Sequence, residues 1–151
     1  MRKINYIIID SDIESHDSKS IRRNVPNSGH HYCVNQQGLV INNVDISKPI
    51  NLIEGPIYDL DKFNRCSIGI HYCGSLRSEA WLLEPETNCQ AMMRQRKALI
   101  RLLVELRKHF TDAKILGISE IDGKAPNYKN IIVSDVINML RKELSMNENN
   151  S

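Results

Sequence analysis

The sequence predicts a single-domain α/β fold in which a mixed central sheet is flanked by helices. Three observations predict it. Short apolar runs of strand length occur at residues 6–9, 67–72 and 114–118. A long amphipathic pattern of helical period separates the last two of these runs. No repeat, low-complexity tract or shift in composition divides the 151 residues, the length of one ordinary domain. Hydrophobic content of 41% and charged content of 25% fit a chain with a real core and a solvated surface. Twenty Lys and Arg stand against eighteen Asp and Glu, for a net charge of +2. The two signs are interleaved, which argues against nucleic acid and against a membrane surface as partner.

The amino terminus carries Arg2 and Lys3 ahead of an apolar run. That run is too short for a signal peptide and meets Asp10 with no small-residue cleavage site, so it reads as a buried strand. No other segment approaches membrane-spanning length. Cytoplasmic synthesis is therefore expected, with export only by lysis or a non-classical route. Cys33, Cys66, Cys73 and Cys89 contain no C-x-x-C pair and are expected as free thiols.

Residues 15–24 suit a short helix, broken by the Pro26-Asn27-Ser28-Gly29 run. Residues 31–34 and 39–41 flank Asn35-Gln36-Gln37-Gly38 and predict a hairpin, with Gly38 where the turn needs a positive φ. Residues 47–64 carry Pro49, Gly55 and Pro56 and read as a long surface connection. After the strand at 67–72, Thr87 and Gln90 form a capping box for the clearest helix. Met92, Met93, Leu99, Ile100, Leu103, Val104 and Leu106 fall on its core face, and Arg94, Lys97, Arg101, Glu105 and Lys108 on the other. The strand at 114–118 precedes a closing helix over 131–140, with Ile132, Val136, Ile137 and Leu140 on its apolar side. The domain is expected to span 1–145, leaving 146–151 as a frayed polar tail.

Four stretches carry a family likeness across most of the chain. They are Tyr6-Ile7-Ile8-Ile9-Asp10, Gly29-His30-His31-Tyr32, the run from Asp59 through Asn64 to Ser67-Ile68-Gly69-Ile70, and the run from Ile115 to Pro126. Together they resemble the zinc-dependent N-acetylmuramoyl-L-alanine amidases, the fold shared by phage lysozyme-type amidases and peptidoglycan recognition proteins. In that resemblance the first zinc-ligand position holds Asp10 instead of histidine. The other two ligand positions hold Ile118 and Pro126. A tyrosine of the family's pocket is His30 here and a pocket histidine is Asp59, while Asn64 and Lys124 match the family's residues. In the family that lysine is implicated in stabilising the tetrahedral intermediate.

A catalytic zinc needs about three protein ligands and an open position for water. Isoleucine and proline side chains offer no lone pair. The resemblance therefore implies a relative that has lost zinc and hydrolysis, with no cofactor expected and no confident catalytic residue. It keeps a cleft, with Asp10, His30, Asp59, Asn64 and Lys124 as binding candidates for a peptidoglycan fragment or a protein partner. An active amidase with a metal site rebuilt from Asp10, His30 and Asp59 is the alternative, since these are acceptable ligands for zinc, manganese or iron. A structural or regulatory protein with a vestigial cleft is a third reading. His30 and His31, adjacent on a strand, are expected to face opposite sides. His71, on the central strand, is expected to be structural.

Overall fold

The computed structural model describes residues 2–11, 30–49, 64–73, 90–117 and 128–149. Among the described residues, five strands and two long helices follow one another: β1 Tyr6–Ser11, β2 Tyr32–Val34, β3 Val40–Asn42, β4 Ser67–Tyr72, α1 Gln90–His109, β5 Lys114–Gly117 and α2 Tyr128–Asn149. The strands form one sheet in the order β3-β2-β4-β1-β5. β2, β4, β1 and β5 run parallel, and β3 is antiparallel at one edge. This is the mixed α/β layer fold that the apolar runs predict.

Side chains alternate across a strand, and the sheet uses its two faces differently. Ile7 and Ile9 of β1, Ile68, Ile70 and Tyr72 of β4, Val34 of β2 and Ile115 of β5 join one apolar cluster. Ala98, Leu99, Leu103 and Leu106 of α1 and Leu140 and Leu144 of α2 complete it. The helices therefore cover that face. The register Ile9↔Ile70 puts Asp10 opposite His71, and Cys33 opposite His71 in turn. Cys33, His71 and Asp10 thus form a row across the other face.

The hairpin closes as expected. Asn35 Oδ1 accepts from the N–H of Gln37 at 3.0 Å and of Leu39 at 2.9 Å. Gly38 has φ +82°, and a Cβ there would lie 3.1 Å from the backbone of Arg94 in α1. Glycine is required on both counts.

Several expectations shift. The closing helix is longer than 131–140 and runs from Tyr128 to Asn149, so Met146 to Asn149 are helical instead of frayed. No proline or glycine interrupts it, and Leu140 and Leu144 anchor its second half in the core. Met93 is exposed instead of in the core, whereas Gln95, absent from the expected core face, is buried. The two helices are also linked by ion pairs, Arg96 with Glu143 and Arg107 with Glu148 at 3.7 Å. Such partly exposed pairs contribute little stability. The helix expected at 15–24, most of the connection at 47–64, Thr87 and residue 118 lie outside the described residues.

Candidate functional site

Asp10 ends the apolar run of β1 and His71 sits near the end of β4, at the carboxyl edge of the parallel strands. Ligands of open α/β sheets bind at that edge. His30, two residues before β2, brings its ring to the same place. Its Nε2 lies 3.2 Å from Asp10 Oδ2, and His71 Nδ1 lies 3.9 Å from that same oxygen. The two imidazole rings are tilted at 54° with centroids 5.0 Å apart. One ligand-capable atom from each of the three residues falls within 4.8 Å of the other two.

The His30 and His71 side chains are 4% and 7% exposed, and that of Asp10 is 23% exposed. The cluster thus reaches solvent through its carboxylate. Burial alone would raise the Asp10 pKa, but hydrogen bonding and positive charge from His30 and His71 outweigh it. The net effect holds the carboxyl well below the usual carboxylate range. Asp10 is therefore an anion at neutral pH, ready to accept a proton donor or a cation.

Cys33 and Cys73 border His71, one beside it across the sheet and the other two residues on, just past β4. Both are buried, with their sulfurs 3.0 Å apart. Gln95 of α1 reaches under this corner, its amide donating to Val34 O at 3.2 Å and to Cys73 O.

His31 faces elsewhere. Its Nδ1 accepts the Gly69 N–H at 3.0 Å, so in the neutral ring Nε2 carries the proton and donates to Lys48 O at 2.7 Å. Burial, aided by the Arg2 charge, keeps the His31 pKa below its ordinary value despite the Lys48 carbonyl. Arg2 meanwhile donates to Ile46 O and Arg65 O, tying the amino terminus to both loops. His31 and Arg2 are framework.

Of the residues singled out from the sequence, Asp10 and His30 are brought together. Asn64 precedes β4 at its amino-terminal end, a strand length from His71. Asp59, Lys124, Ile118 and Pro126 lie outside the described residues. His71, expected to be structural, is instead the third member of the cluster. The signal for it was in the parity of the strand: His71 is one residue out of phase with Ile68, Ile70 and Tyr72.

No family model matches the chain, and no curated protein matches it. Among solved structures it is similar to the endolysine N-acetylmuramoyl-L-alanine amidase LysCS from Clostridium intestinale URNW. That likeness has 16% identity and a TM-score of 0.47, over 80% of this chain and 72% of that one. It is also similar to N-acetylmuramoyl-L-alanine amidase LysC from Clostridium intestinale URNW. There the identity is 15% and the TM-score 0.49, over 91% of this chain and 87% of that one.

Proposed function

We propose that this chain is an N-acetylmuramoyl-L-alanine amidase-like protein that binds peptidoglycan fragments at the carboxyl edge of its sheet and does not hydrolyse them by the family's zinc mechanism. The observation that carries this reading is the meeting of Asp10 and His30 at 3.2 Å. The motif likeness assigns both residues to one pocket although they lie twenty residues apart, and only a fold that joins those two motifs brings them into contact. The scaffold stretches Ser67-Ile68-Gly69-Ile70 and Gly29-His30-His31-Tyr32 persist, while the ligand positions carry Ile118 and Pro126. A half-buried carboxylate flanked by two buried imidazoles suits a ligand rich in amide and hydroxyl groups, because it offers both acceptors and donors. A muropeptide has that chemistry.

The test is calorimetric titration of the full chain with a muropeptide, beside an assay for release of the stem peptide. Binding that weakens at least tenfold in Asp10→Ala, without peptide release, is expected. Absence of heat at millimolar muropeptide refutes binding. Zinc-dependent release that persists in Asp10→Ala refutes the loss of the family's activity.

A further inference from the structure

We propose that Asp10, His30 and His71 form a binding site for one divalent transition-metal ion, a residue set that shares only Asp10 with the positions the motif likeness assigns to zinc. The site stands on its own geometry and is independent of which ligand the cleft takes. Two imidazoles and one carboxylate are a recurrent donor set for zinc and for ferrous iron.

Distances support an ion at the centre of the three. Metal–nitrogen and metal–oxygen bonds of about 2.0–2.2 Å at tetrahedral angles place neighbouring donor atoms about 3.3–3.6 Å apart. His30 Nε2 and Asp10 Oδ2 are 3.2 Å apart, already at that spacing. His71 Nδ1 and the same oxygen are 3.9 Å apart and need to close by roughly half an ångström. All three donor atoms lie within 4.8 Å of one another, a span that rotation about side-chain bonds can take up. The three come from separate segments, so the ion would join the end of β1, the end of β4 and the approach to β2.

Burial gives a second, independent argument. His30 and His71 are almost wholly enclosed, while the carboxylate is 23% exposed. The two nitrogens would close the inner side of the coordination sphere, and the open side beside Asp10 gives the ion its entry path. Three protein donors leave at least one position of a four-coordinate ion for water or an exogenous ligand. His31 makes a natural control. It neighbours His30 in the chain, but both its ring nitrogens serve Gly69 and Lys48.

The experiment uses the full chain without an added histidine tag, loaded with zinc and desalted, with metal measured by elemental mass spectrometry. About one zinc per chain is expected. It should be lost from His71→Ala and from Asp10→Asn and kept in His31→Asn and Cys66→Ser. X-ray absorption at the zinc edge of the wild-type chain keeps the proposal testable if a variant fails to fold. Two imidazole nitrogens with oxygen, and no sulfur, are expected in the first coordination shell. No retained zinc, retention in folded His71→Ala, or sulfur in that shell would overturn the site.

Discussion

Gln95 offers the sharpest test of how the helix layer holds the site in place. Its side chain is buried, and its amide nitrogen donates to Val34 O at the end of β2 and to Cys73 O just past β4. Replacing it with methionine keeps the volume and the straight chain but removes both hydrogen bonds. The two carbonyls do not suffer equally. Val34 O also accepts the Cys73 N–H at 3.0 Å, so it keeps a donor. The Cys73 carbonyl loses the shorter of the two bonds, and removing a buried hydrogen bond of this kind costs about 1–3 kcal/mol. For a chain of this size each kcal/mol lowers the melting point by about 2–4 °C, so a fall of about 2–12 °C is expected. Urea unfolding followed by circular dichroism, with EDTA present, should show a lower midpoint at unchanged slope. Gln95→Ala should cost more, because a cavity adds to the lost bonds. A Gln95→Met variant within about 0.5 kcal/mol of wild type would refute the bridge.

Two further predictions rest on equally local features. Gly38→Ala should destabilise by about 1–2 kcal/mol, since φ is +82° and the new Cβ would press on the Arg94 backbone at 3.1 Å; equal or higher stability in urea would contradict this. His31 titrates below its ordinary 6.5 because it is buried. Below pH 6.5 the unfolded chain therefore binds a proton that the folded chain refuses, and stability falls by up to about 1.4 kcal/mol per pH unit until the folded pKa is reached. Above pH 6.5 this contribution is fully present. His31→Asn should flatten the stability–pH profile between about pH 6.5 and 5 in EDTA, and an unchanged slope would assign it to other groups.

The fold was legible wherever the sequence had a clear period. The apolar runs Ser67 to Tyr72 and Lys114 to Gly117 appear as strands within a residue of expectation. The hairpin was legible because Gly38 is the residue its turn requires. The end of the last helix was not, because Asn147 to Asn149 are polar and Met146 is exposed, and the helix is held in the core by Leu140 and Leu144. Propensity alone carries no record of such anchoring. The site was half legible. Asp10 and His30 stood at positions the motifs marked, whereas His71 carried no motif. Its role depends on the register between β1 and β4, a long-range fact absent from any local window. Gln95 was hidden for a related reason, since a single polar residue on a helix reads as solvated until its acceptors are known.

The register that hides His71 in the sequence also ties the site to the core. Ile7, Ile9, Ile68 and Ile70 are fully buried on the helix-covered face, and Asp10 and His71 project from the other. A slip of one residue between β1 and β4 would carry the isoleucines of one strand away from the helices and His71 into the core. The apolar cluster forbids that slip, because burying a charged or polar group without partners costs several kcal/mol. The alignment of Asp10 with His71 is therefore enforced by packing on the opposite side of the sheet and does not depend on attraction between the two side chains. A pair positioned in this way can meet a ligand or a cation without first paying to be ordered. It follows that substitutions at Ile9 or Ile70, on the opposite face of the sheet, can disturb the site through strand register, while the surface ion pairs between the helices take no part in that register.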